Sequence, residues 1–390
     1  MNTTPTPSIS LAGLEAALPD LAAEARARAT EFETARRLAP DFALKLKRAG
    51  AFKVLVPVKA GGLGATLPQW FELMMALAEA DASTGWVTGH ANITAGLIHA
   101  SAEPRFGAEF FADPLAFAAW SNLPKVQVKE EEKGLRISGS WSFESGCTEA
   151  TFVGGMVMLP PLAEGRPPRM VAALAPVAEA TIEETWDPIG LAGTGSHDVR
   201  FDDVFVPWHR TFPWPAGISV AKYPAGIFAP GTWFISTGTA ATHLGLARRA
   251  LDEARALLKG KVDRYTGKPV LEHPSTLRSL EAAEGLWFAC RAGMREALSA
   301  IWQSAERGAP ATAEMRVDVR VATATAVQQG AAIVRTAYDV AGAAAIHRGG
   351  VLQRLLRDAS CLTHHASANQ AAYELTGRVR CGFDKLTFRI

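Results

Sequence analysis

At 390 residues the chain exceeds what one small core can organise, and its length points to two or three domains with room to bury a ligand. Hydrophobic residues make up 48% and charged residues 20%, a balance that excludes a polar, disordered chain. With 40 basic against 39 acidic side chains the net charge is +1, so no global field recruits nucleic acid or an anionic membrane, and an anionic ligand must meet a local basic cluster.

The stretch from Met1 to Pro19 has no basic region leading into an apolar run, so neither export nor an N-terminal anchor is expected. From Leu14 to about Ser101 the pattern is helical, rich in Ala, Leu, Glu and Arg, with Phe42, Leu44, Leu46 and Phe52 set among charges. Ala60 to Gly64 reads as a connecting loop before a helix over Gln69 to Ala80. Asp81, Ala82 and Ser83 supply capping residues for the next helix, which carries Trp86, His90 and Ile93. Beyond Pro114 the period changes. Short alternating runs, Leu135 to Ser138, Met170 to Leu174 and Val199 to Val206, predict half-buried antiparallel strands. After Gly231 helical blocks return over Thr237 to Leu258, Ser275 to Arg307, Ala311 to Ala341 and Leu352 to Ala368, a sequence of four that predicts a bundle. No segment approaches the ~20 unbroken apolar residues of a membrane span. Cys147, Cys290, Cys361 and Cys381 lack the spacing of a zinc pair or a disulfide framework, so no metal is expected and reduced thiols in the cytoplasm are the simplest reading.

Three stretches carry more than periodicity. Trp186 to Pro207 (WDPIGLAGTGSHDVRFDDVFVP) joins a Gly-rich turn, able to bring backbone N–H groups close to a ligand, to an alternating strand. It resembles the corresponding turn and strand of the acyl-CoA dehydrogenases, as does the hairpin Gly134 to Gly146 (GLRISGSWSFESG) and the helix Leu244 to Glu253. The resemblance implies an α+β fold of three parts: an N-terminal helical domain over 1–114, a central antiparallel β domain over 115–215 and a C-terminal four-helix bundle over 216–390. Leu352 to Gly377 (LQRLLRDASCLTHHASANQAAYELTG) is similar to the "LQR-x-x-RD" signature of the two-component, or group D, flavin-dependent monooxygenases of that superfamily. The dehydrogenases' Gly-rich motif is replaced here by Asp339 to Ala345.

The resemblance implies an oxygenase component using reduced FMN or FAD from a separate NAD(P)H-dependent flavin reductase. Such enzymes form a C4a-hydroperoxyflavin with O2 and oxygenate a small apolar or aromatic substrate. The absence of a Gly-x-Gly-x-x-Gly after a strand agrees with a chain that does not reduce its own flavin. Two alternatives stay open: an acyl-CoA dehydrogenase with Glu374 as α-proton base, and a non-catalytic flavin- or acyl-binding relative.

The same resemblance nominates residues. Ser145, followed by Gly146, takes the position of a hydroxyl at flavin N5. His365 falls at the signature's histidine and is the acid–base candidate, with His364 exchanged for it by one residue of slip. His90 and Asn92 belong to the helix that supplies a second polar group on the substrate side. Trp120, Ser121 and Asn122 match a strand end at the flavin pyrimidine edge, and Trp186 is placed to stack beside the ring. Arg264 takes the position of an arginine sent across a subunit interface to flavin phosphate, and Arg348 with Gly349 and Gly350 forms a second cluster. Arg357 and Asp358 offer structural pairs within the bundle instead, each with a neighbour one turn away. The Ala-rich stretch Ala322 to Ala345 permits close packing and, with the resemblance, implies a homotetramer.

Overall fold

The computed structural model describes residues 10–165, 168–213, 233–309, 311–365 and 370–384. Ser10 accepts a hydrogen bond from the Gly13 amide and so caps α1 (Leu11–Ala35), whose buried Leu14, Leu21, Ala25, Ala29 and Phe32 recur every three, four or seven residues and form one stripe. Phe32 stacks on Phe42 of α2 (Pro40–Arg48) at 5.3 Å between centroids. Thr66 and Gln69 close a reciprocal capping box on α3 (Leu67–Ala80). The expected acidic cap is present: Asp81 accepts from the Thr84 amide and starts α4 (Ala82–Ser101), which is buried on nearly every side and forms the axis of the N-terminal part. A short α5 (Pro104–Ala112) ends the helical run.

Among the described residues seven strands follow, β1 (Pro124–Glu131), β2 (Gly134–Glu144), β3 (Phe152–Leu159), β4 (Arg169–Pro176), β5 (Thr181–Glu183), β6 (His197–Pro207) and β7 (Thr211–Pro213). They form two antiparallel sheets, one ordered β1-β2-β6-β5 and the other β3-β4-β7. Leu135, Ile137 and Trp141 of β2 and Val199, Phe201 and Val206 of β6 supply core, as the alternation predicts. The β2–β6 register slips between Trp141 and Glu144, and this irregularity re-aims the chain just before Ser145.

The last part is helical: α6 (Trp233–Leu258), α7 (Pro274–Glu306), α8 (Ala313–Ala341), α9 (Val351–Leu362) and α10 (Ala371–Arg380). Ala247, Ala250 and Ala254 of α6 share a buried cluster with Ile333, Val334, Ala337 and Ala341 of α8, small side chains that let the two axes approach. The order of helices, strands and helices is the expected one. The fourth predicted bundle helix is shorter than Leu352 to Ala368, stopping at Leu362, with α10 after it; its expected end at Ala368, like the 215/216 boundary, lies outside the described residues. Among the described residues no helix is long and apolar enough to cross a membrane.

Candidate active site

On α4, Trp86 and His90 stand one turn apart and their rings lie 4.4 Å from centroid to centroid. The Trp86 indole N–H donates to Ser145 Oγ at 2.9 Å, tying this helix to the end of β2. Ser145 Oγ lies 2.7 Å from Ser196 Oγ, Ser196 Oγ lies 2.7 Å from Thr194 Oγ1, and the Thr194 hydroxyl donates to the Leu191 carbonyl at 2.8 Å. Gly146 has φ +74°, and a Cβ there would sit 2.9 Å from both Phe117 and Val87, so only glycine lets the chain turn this closely against α4.

His365, just beyond α9, presses edge-on against Trp86 at 5.2 Å between centroids, so helix α4, the β2 end and the bundle meet at one indole. His364, by contrast, is exposed. Burial holds His365 down to about 4, helped by the positive charge of Arg320, a buried residue of α8. Burial pushes His90 down to about 3, with His365 adding to the effect. Both imidazoles are therefore neutral at pH 7 and present a lone pair as well as an N–H.

Beside Ser145, Phe143 takes φ +66° and leaves 56% of its surface exposed, with its ring edge-on to Trp186 at 5.7 Å. Trp186 is anchored by its indole N–H to the Leu191 carbonyl at 3.0 Å and by its amide to His197 Nδ1 at 3.2 Å. The 186–196 loop is held in turn by the signature residues of α9. Asp358 Oδ1 accepts from the Leu191 amide at 2.6 Å, and Arg357 Nη1 donates to the Ile189 carbonyl at 2.6 Å. Arg357 also contacts Gln353 one turn away, as expected; Asp358, expected to pair within the bundle, crosses instead to the β domain. Burial, aided by the nearby Asp81 carboxyl, raises Asp358 to about 7.

Asn92 requires a correction. Expected on the substrate side, it is fully buried and its amide is used on backbone: Nδ2 donates to the Ala51 and Thr88 carbonyls at 2.7 and 2.9 Å, and Oδ1 accepts from the Leu55 amide at 3.2 Å. Two residues along a helix turn the side chain by about 200°, so Asn92 faces away from the site that His90 enters. The Ser121 hydroxyl is likewise spent inside the β domain, donating to the Ser142 carbonyl at 2.6 Å and accepting from the Leu123 amide at 3.1 Å. Trp120 is buried, whereas neighbouring Asn122 is exposed. Arg264 is exposed in the loop after α6 with its guanidinium over the Tyr265 ring, and Arg348 and Gly349 sit in an exposed turn before α9. Glu374 faces solvent on the first turn of α10, in the field of Arg378. Trp86, Phe143, Thr194, Ser196 and Arg320 were not singled out by sequence. The i, i+4 spacing of Trp86 and His90, and two hydroxyls flanking a glycine in a ligand-side turn, are the signals that were available.

Comparison with known proteins gives the family. The family models "Acyl-CoA dehydrogenase, N-terminal domain" and "Acyl-CoA dehydrogenase, C-terminal domain" match residues 15–111 and 237–370. The chain is 30% identical to an indole-3-acetate monooxygenase of Acinetobacter baumannii over 364 residues, 92% of this chain and 91% of that protein. It is 31% identical to the oxygenase component of an FADH2-dependent resorcinol hydroxylase of a Rhizobium species over 381 residues, covering 93% and 91% of the two chains. The crystal structure of the HsaA monooxygenase from M. tuberculosis superposes with a TM-score of 0.86 at 26% identity, covering 99% of this chain and 100% of that one. The chain belongs to the acyl-CoA dehydrogenase superfamily, in its branch of two-component flavin-dependent monooxygenases.

Proposed function

We propose that the chain is an oxygenase component that takes reduced FMN or FAD from a separate NAD(P)H-dependent reductase and inserts one atom of O2 into a small aromatic substrate carrying an O–H or N–H group. The observation that carries this reading is the meeting of Ser145, Trp86, His90 and a neutral His365 from three parts of the fold at one point. The relatives named above act, by their names, on an indole and a resorcinol, which supports the aromatic class. Glu374, the base that dehydrogenation would require, faces solvent instead.

The residues present fit a flavin. Ser145 offers a hydroxyl beside the exposed Phe143 and the half-buried Trp186, an aromatic pair that suits a flat heteroaromatic ring, and exposed Asn122 can both donate and accept at a ring edge. When bound, reduced flavin supplies the electrons that activate O2. The protein's part is to bind, orient and move protons. A neutral imidazole at His365 accepts the substrate O–H or N–H, with His90 one ring away as a second polar contact. Arg320 holds positive charge near His365 and stabilises the negative charge that builds on the substrate heteroatom as its proton moves to the imidazole. Arg264 and the Arg348–Gly349 turn supply charge and backbone donors for flavin phosphate, Arg264 reaching into a neighbouring copy of a homotetramer.

The test is anaerobic loading with reduced FMN or FAD, then 18O2 and a panel of phenols and indoles. One labelled oxygen atom per product is expected. Reduction of bound FAD by an acyl-CoA panel, with no labelled product, would overturn the reading.

A further inference from the structure

We infer that Ser196 and Thr194 are positioning residues that fix the direction of the Ser145 hydroxyl and so select the reduced form of the flavin. This rests on the reading of the site given above. Either hydroxyl could donate in the Ser145–Ser196 and Ser196–Thr194 contacts, and the ends of the chain set the direction. At one end the Leu191 carbonyl, which also accepts from the Trp186 indole and the Thr194 amide, can only accept, and the Thr194 oxygen 2.8 Å away meets it without lone-pair repulsion only by pointing its single proton at it. Thr194 must then accept from Ser196, whose own proton is used, and Ser196 must accept from Ser145. At the other end an indole N–H can only donate, and Trp86 gives its proton to Ser145. Ser145 is left with one lone pair and no proton to offer.

A hydroxyl in that state complements a ligand atom that donates. Reduced flavin carries a proton on N5; oxidised flavin has only a lone pair there. Against oxidised flavin, Ser145 would have to withdraw its proton from Ser196 or face a second lone pair. The chain also strengthens Ser145 as an acceptor, since a hydroxyl that donates becomes a better acceptor. Ser145, Ser196 and Thr194 are all buried, so water does not readily replace a lost partner. The loop that carries Thr194 and Ser196 is fastened from the bundle by Asp358, through the Leu191 amide, and the same residue's carbonyl terminates the chain.

The experiment measures dissociation constants for oxidised and reduced FMN, the latter under anaerobic conditions, together with the midpoint potential of the bound flavin. Wild-type protein should prefer reduced FMN. Ser196→Ala frees the Ser145 proton and should lower the ratio of oxidised to reduced constants about tenfold, the effect of one buried hydrogen bond, mainly by tightening oxidised FMN. Each tenfold loss of preference lowers the two-electron potential by about 30 mV. Thr194→Val lets the Ser196 proton turn toward Ser145 and should act in the same direction, whereas Thr194→Ser restores the hydroxyl and the wild-type ratio. If Ser196→Ala fails to fold, the Thr194 pair decides. A ratio within about twofold of wild type in folded Ser196→Ala or Thr194→Val overturns the proposal, as does a wild-type protein that binds both forms equally. A wild-type protein that binds flavin in neither state overturns the flavin reading itself.

Discussion

His365 is where the chemistry is most exposed to a single substitution. His365→Ala should leave the circular dichroism spectrum and the reduced-flavin affinity near wild type while product formed per NADH consumed falls by about 10² or more and peroxide rises, the usual scale of acid–base assistance. His364→Ala serves as the matched control, since that side chain is exposed, and Glu374→Gln should change little. Equal losses in His364→Ala and His365→Ala would sink the assignment. Ser145 and His365 were nominated from stretches that resemble the family and His90 from its chemistry, and the structure brings all three to the Trp86 indole. Asn92 was misread for a physical reason. α4 is buried on almost all sides, so it has no polar face to mark which side looks into the site, and His90 and Asn92, two positions apart, point in opposite directions. Trp86 was passed over because an indole one turn from a histidine reads equally well as core.

The 186–196 loop shows how one element is set by another. Asp358 and Arg357 of α9 hold it at Leu191 and Ile189, and Gly190 permits the approach: a Cβ there would lie 2.4 Å from the Arg357 carbonyl carbon and 2.5 Å from its oxygen. Gly190→Ala should therefore force loop and helix apart and cost about 1–3 kcal/mol, measurable by denaturant titration. Asp358 adds a pH dependence of definite sign. Its carboxyl is raised from an ordinary value of 3.8 to about 7 by burial, so the fold favours the protonated form. The stability it contributes is complete below about 4 and is lost as pH rises through 7; Asp81, raised to about 6, acts in the same sense. Asp358→Asn keeps an oxygen for the Leu191 amide and removes the titration, so the variant's melting temperature should gain on wild type between pH 5 and pH 8. A gap that does not change with pH would contradict this. The pattern Arg-Asp was visible in the sequence, but the partner of Asp358 is 167 residues away, and no local period reports a contact of that range.

At the scale of the whole molecule, the order of helical, β and helical parts was readable because the hydrophobic period switches from helical to alternating and back, and the 3.6- and 2-residue rhythms are imposed by backbone geometry. What a single chain's periodicity does not reveal is which buried-looking face belongs to a neighbour. On α7, Phe288 is 69% exposed, with Leu277 and Leu286 also open, and a groove between α7 and α8 is lined by Ala289, Cys290, Gly293, Ala297 and Ala322. The small groove walls, and on another face of the same helix the projecting Phe288 ring, suit neighbouring helices, and the proposed homotetramer supplies them. Arg264 is exposed in its own chain and fits the proposal only if it reaches the phosphate of a neighbouring copy. Arg264→Ala should then weaken reduced-flavin binding about 10- to 100-fold, the scale of a charge-assisted hydrogen bond, while the native mass remains that of the tetramer. Phe288→Glu should lower the native mass and weaken flavin binding in the same variant, with the affinity recovering as protein concentration rises. A wild-type monomer at micromolar concentration, or a Phe288→Glu monomer that binds reduced flavin as tightly as wild type, would refute the trans contact.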